Sequence, residues 1–205
     1  MIKRNYARTI TISLFLVALV IIIFTLSSGA GDIYVDDDAD PGWYDATHVK
    51  TVQEGVDNAS AGDTVYVWVG TYNEEVVVDE SVSIIGNITS IVDSGGAGDV
   101  FRIESDDVSI KNMTIQNGGD NGIDIRASNI TIDNNIIQSN DVYAITISSG
   151  VGDRINITNN TITADDVTGG IYITESDYII IENNNISDCN IGMFIWDSDH
   201  NVIEN

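Results

Sequence analysis

Residues 121–142, NGIDIRASNITIDNNIIQSNDV, decide the fold. Ile123 and Ile125 stand two apart, Ile130 and Ile132 stand two apart, and Ile137 follows alone. Residues two apart face one side of a strand, and β-branched side chains suit a pleated backbone. No helical period of 3.6 runs through the stretch. The stretch before it, 99–120 (DVFRIESDDVSIKNMTIQNGGD), carries the same pattern with Phe101/Ile103, Val108/Ile110 and Ile115. So do residues 143–169, 170–190 and 191–205, with Ile145/Ile147, Ile171/Ile173 and Met193/Ile195 as their first pairs. The basic period is 22 residues, with small insertions in the third unit. Each unit is too short to bury its apolar face alone, so the units must coil and stack.

A second column marks the bends. Asn112, Asn134, Asn159, Asn183 and Asn205 share one repeat position. Asn tolerates the left-handed backbone conformation, and stacked amides can bond from coil to coil. The five are read as a structural ladder at a strand corner. The predicted class is all-β: a right-handed parallel β-helix, a solenoid with a short N-terminal capping helix. That helix is expected within 46–60, where Val49, Val52, Val56 and Ala59 have helical spacing and Thr51 with Glu54 begins a capping box. Three segments follow: 1–30 as signal peptide or signal-anchor, 31–62 as the N-terminal cap, and 63–205 as the β-helix. The last unit stops after its second strand, so the β-helix is expected to be incomplete at the C-terminus.

The front of the chain reads as an export signal. Lys3, Arg4 and Arg8 precede an uncharged run at 10–26, and Ser28 and Ala30 occupy the small-residue positions of a cleavage site. A cleaved signal is the first reading and an uncleaved anchor the rival. Both place the remainder outside the cytoplasm, secreted or at the cell surface. Membrane contact is expected only through that segment.

Composition excludes several classes. The chain has 205 residues, 8 Lys+Arg and 32 Asp+Glu, and no basic surface to neutralise phosphates, so nucleic acid is not a partner. One Cys, one Pro and two His leave no disulfide scaffold, collagen repeat or structural zinc site. An apolar content of 43% supports a core. Without residues 1–30, 5 basic residues face 32 acidic ones. Such an excess repels itself unless salt or cations screen it.

The Gly-Ile-x-Ile and Ile-x-Ile-x-Asn-Asn-x-Ile patterns resemble right-handed parallel β-helix repeats of the pectin-lyase-like fold. Residues 33–87, with Gly62-Asp63-Thr64 and Gly70-Thr71-Tyr72, resemble the N-terminal part of exported β-helix proteins, often archaeal and cell-surface. The repeats are also similar to the NosD-type periplasmic copper-binding group and to carbohydrate-binding β-helix domains. The resemblance implies the fold and leaves several activities open. Pectate lyases and polygalacturonases share it, but the Gly-His-Gly and Arg-x-Lys elements of the latter are absent. No residue is assigned as catalytic. Arg102 shares a column with Asp124, and Arg126 with Glu104, which predicts ion pairs between coils. The candidate copper ligands, His48, His200, Met113, Met193 and Cys189, are scattered.

Three groups of site residues remain. If Ile171/Ile173 and Met193/Ile195 point inward, then Tyr172, Phe194 and Trp196 point outward, as a carbohydrate-binding surface or as the seat of a covering segment. Asp36, Asp38 and Asp40 in one acidic turn are the metal candidates, with calcium as the ion. No other cofactor is expected. Asn58, Asn87 and Asn129 head Asn-x-Ser/Thr sequons and are the glycosylation candidates.

The expected function is an exported cell-surface module with a structural or adhesive role and carbohydrate contact. Its partners would be surface polysaccharide or other cell-surface proteins. A polysaccharide lyase, epimerase or glycosidase is the first alternative, and a NosD-type copper-binding protein the second.

Overall fold

A computed structural model describes residues 31–148, 153–164 and 169–204. The segment expected to be the export signal, 1–30, and Asn205 of the expected ladder lie outside the described residues. Among the described residues three parallel sheets run side by side along one axis. The first has nine strands, in the order His48–Val49, Asp32–Val35, Thr64–Val67, Ser83–Ile85, Ser109–Lys111, Thr131–Asp133, Asn156–Thr158, Ile180–Glu182 and Val202–Glu204. The second has six, from Gly70–Asn73 through Ser90–Asp93, Thr114–Gln116, Ile136–Gln138 and Thr161–Thr163 to Asn185–Ser187. The third also has six: Val76–Val78, Phe101–Ile103, Asn121–Ile125, Tyr143–Ile147, Gly169–Thr174 and Ile191–Trp196. The chain visits the sheets in turn, so each strand pairs with the equivalent strand one coil away. The protein is a right-handed parallel β-helix.

The apolar columns become the core. Ile110, Ile132, Ile157 and Ile181 are in register in the first sheet. Ile115, Ile137 and Ile162 are in register in the second, and Ile103, Ile125, Ile147 and Ile173 in the third. All of these are buried. Burying one such side chain contributes about 1.5–3 kcal/mol, and identical neighbours above and below keep each in the same packing environment.

Sharp corners join the sheets. Asn112, Asn134, Asn159 and Asn183 have φ of 60°, 54°, 57° and 56°. This is the left-handed conformation that Asn accepts more readily than β-branched residues.

The helix spans Val52–Asn58 and buries Val52 and Val56. Thr51 is its N-cap and accepts from the Glu54 backbone N–H at 3.1 Å. The return arm of the capping box lands one residue early, since Glu54 accepts from Lys50 N–H rather than from Thr51. Glu74 instead serves the first turn, accepting from Val52 N–H (2.8 Å) and Gln53 N–H (2.9 Å). Strand Asp32–Val35 pairs with Thr64–Val67, so the segment before the helix joins the first sheet.

Candidate functional site

Alternation along the third sheet turns Thr146, Tyr172 and Phe194 away from the core. Tyr172 is in register with Thr146 on one side and Phe194 on the other. The Tyr172 and Phe194 rings stack with centroids 5.1 Å apart and planes 7° apart. Tyr143 adds a third ring, 4.7 Å from Tyr172. Column alignment missed it, because Tyr143 is in register with Gly169 and not with Tyr172. A Cβ on Gly169 would collide with the Tyr143 ring, so the absent side chain is what lets the ring lie there. A large residue opposite a glycine was the available signal. Trp196 lies two residues beyond Phe194, in register with Thr174. Phe194 is 40% exposed and Trp196 56%, so the strip presents apolar surface.

Polar groups occupy the same face in earlier coils. Asn121 donates to Asp99 and accepts from the Thr146 hydroxyl at 3.0 Å. Asp124 is buried, accepts from Arg126 at 2.6 Å and from the Ser148 hydroxyl at 3.1 Å. The hydrogen bond to Asp124 raises the Arg126 pKa. The ion pairs differ from the expected ones. Arg126 pairs with Asp124, and Arg102 with Glu104 at 2.9 Å, both along one strand and not between coils. Side chains at i and i+2 share a face, so the acid on the same strand is as available as the one a coil away.

At the first corner the amides are arranged in two tiers. Asn112 and Asn134 are joined outside, with Asn134 Nδ2 donating to Asn112 Oδ1 at 2.8 Å. Asn159 Nδ2 donates instead to Asp133 at 2.8 Å. The continuous buried ladder runs one residue later, through Asn135, Asn160 and Asn184. Asn160 Oδ1 accepts from Asn135 N–H, and Asn184 Oδ1 from Asn160 N–H, both at 2.9 Å.

The acidic turn brings together Asp36, Asp37 and Asp38, with one carboxylate oxygen of each within 4.8 Å of the others. Asp40 is not in that group, and Asp37 takes its place. Burial raises the Asp36 pKa, and the Asp38 backbone N–H donates to it at 3.2 Å. The candidate copper ligands of the second alternative are scattered in the fold as they are in the sequence. His48 is in the first edge strand of the nine-stranded sheet, bonded to Asp45 at 2.9 Å, while His200 precedes its last strand and stacks on Tyr178. Met113 is in the core. Cys189 is half-buried, and burial raises its thiol pKa.

Asn58, Asn87 and Asn129 are all exposed. Asn58 Nδ2 donates to the Ala46 carbonyl at 3.2 Å and Asn129 Nδ2 to Asp107 at 2.7 Å. Asn87 borders a cleft of about 490 Å³ on the outer face of the first sheet. Tyr34, Tyr66 and Trp68 also line it. Tyr34 stacks on Tyr66 at 5.6 Å and on His48 at 5.3 Å, and Trp43 meets Trp68 at 5.7 Å. Nothing along the chain groups these rings, because Tyr66 and Trp68 lie 32 and 34 positions after Tyr34 and only coiling unites them.

The family described as right handed beta helix region matches residues 73–169 and 99–205. No curated protein matches the chain. Among solved structures, the Escherichia coli ybhc protein is similar over 87% of this chain, with 13% identity and a TM-score of 0.54. The chain spans 66% of that protein's length. A pectin methylesterase from Aspergillus niger aligns with 85% of this chain and 86% of its own, at 14% identity and a TM-score of 0.35.

Proposed function

This chain belongs to the right handed beta helix region family, and from that premise we propose that it is an exported cell-surface module that holds polysaccharide on its third sheet. The observation that carries the reading is the stack of Tyr143, Tyr172 and Phe194, with Trp196 exposed beside it. Aromatic rings offer a flat apolar face to the C–H side of a sugar ring, and neighbouring polar groups take its hydroxyls. Asn121, Thr146 and Ser148 supply such groups in adjoining coils. The coils repeat at about 4.8 Å, so the face is a rigid strip that suits an extended chain better than a single sugar. Rigid presentation lowers the ordering cost of binding.

The strip and its acidic setting favour a neutral polysaccharide over a polyuronate. Arg102 and Arg126, the cations on this face, are already committed to Glu104 and Asp124.

Binding to a panel of neutral and acidic polysaccharides tests the reading. Tyr172→Ala and Trp196→Ala are each expected to weaken binding about tenfold, or about 1.4 kcal/mol. Equal binding by wild type and both variants would remove the strip from the function. Turnover of any polysaccharide in the panel would favour the enzyme reading instead.

A further inference from the structure

We propose that Asn87 is an N-glycosylation site and that the cleft beside it seats the first sugar of its glycan. The inference rests on the export reading above, since modification requires passage through a glycosylating compartment. Three observations favour Asn87 over Asn58 and Asn129. Its side-chain oxygen accepts from the Thr89 hydroxyl at 3.1 Å and from the Thr89 backbone N–H at 3.3 Å. The sequon is thus folded locally with the Asn oxygen polarised. Among the described residues, Asn87 Nδ2 has no protein partner, whereas the side-chain nitrogens of Asn58 and Asn129 are both bonded. Asn87 also forms part of the cleft wall.

The cleft suits a sugar held by that bond. In register order the outward column runs Tyr34, Tyr66, Ile85. Tyr66 stacks on Tyr34, and its next neighbour is the smaller Ile85, so the column steps down beside its ring. Trp68 is 50% exposed at the same cleft. Among the described residues Asp32 is the one charged group lining it, and it can accept from sugar hydroxyls. A pyranose fixed at Asn87 would cover Tyr66 and Trp68 without paying the translational entropy of a free ligand.

The modification is a displacement at the anomeric carbon of a lipid-phosphate-linked oligosaccharide. The Asn87 Nδ2–C1 bond forms and the C1–O bond to phosphate breaks. The phosphate leaves with the electron pair, and the amide nitrogen loses one proton to a base of the transferase.

Glycopeptide mapping of the protein from its native cells, followed by hydroxyl-radical footprinting of Trp68, tests both halves. Asn87 is expected to be modified at higher occupancy than Asn58 or Asn129, and Thr89→Ala to abolish it. Trp68 labelling is expected to rise at least threefold in Asn87→Gln. Modification of Asn58 or Asn129 with Asn87 bare would overturn the inference and leave export standing. Bare asparagines at every sequon would overturn it as well, without touching polysaccharide binding by Tyr172 and Trp196. A modified Asn87 with unchanged Trp68 labelling would overturn the seat.

Discussion

Asn160 Oδ1 accepts from both nitrogens of Asn135, the backbone N–H at 2.9 Å and the side-chain Nδ2 at 3.2 Å. Both residues are buried, so no water replaces these bonds if they are lost. Asn160→Ala leaves the Asn135 backbone N–H unpaired and opens the ladder toward Asn184. The expected loss is about 2–4 kcal/mol, since an unsatisfied buried polar group costs about 1–3 kcal/mol and the ladder is coupled. The adjacent Asn159→Gly should cost less than about 1 kcal/mol, because Asn159 is exposed and glycine accepts its positive φ. Urea denaturation of the two variants checks the contrast. Equal losses would contradict it.

Gln53 imitates a strand. Its Oε1 accepts from Val77 N–H at 2.7 Å and its Nε2 donates to Val77 C=O at 3.2 Å. Val77 sits in the end strand of the third sheet, where those groups would otherwise be open to another chain. Gln53→Ala is expected to lower stability by about 1 kcal/mol and to promote concentration-dependent association. Sedimentation over a range of concentrations reads the second effect, and a monomer throughout would contradict it.

Gly169 controls the aromatic strip from behind. Gly169→Ala places a methyl against the Tyr143 ring and should drive that ring off Tyr172. Near-UV circular dichroism is expected to lose intensity, with polysaccharide affinity falling several-fold while the far-UV spectrum holds. An unchanged near-UV signal would show that the Tyr143 contact does not depend on this glycine.

Acid should weaken one corner selectively. Burial disfavours the Asp133 carboxylate, but donation from Thr158 and Asn159 outweighs it and lowers the pKa below 3.8. The unfolded chain therefore binds the proton more readily than the folded one. The stabilisation is fully present above the unfolded value of 3.8 and is lost as pH falls through the folded value. The melting temperature of wild type should exceed that of Asp133→Asn at pH 7, and the gap should close toward pH 2. Asp45, held at about 2 by His48 and Thr47, follows the same sign. A gap that widens in acid would contradict the assignment.

The core was legible because Ile spacing of two and a period near 22 leave one solution, a stack of parallel coils. The corner was legible only to within one residue. The doublets Asn134-Asn135, Asn159-Asn160 and Asn183-Asn184 each place one amide outside and one inside. The first coil has Asn112-Met113, so the outer column has the more regular Asn series, although the buried ladder lies in the inner one. Tyr172, Phe194 and Trp196 followed from alternation alone. Tyr143 and the Tyr34–Tyr66–Trp68 cleft did not, because each depends on where a ring goes after it leaves the backbone, past a glycine or across a wide gap in sequence.

A crystal structure of the protein with a bound neutral oligosaccharide would show which face holds the polysaccharide. Sugar rings are expected to lie along the third sheet, packed on Tyr172, Phe194 and Trp196, with hydroxyls toward Thr146 and Ser148. Oligosaccharide bound on another face, with this strip bare, would contradict it.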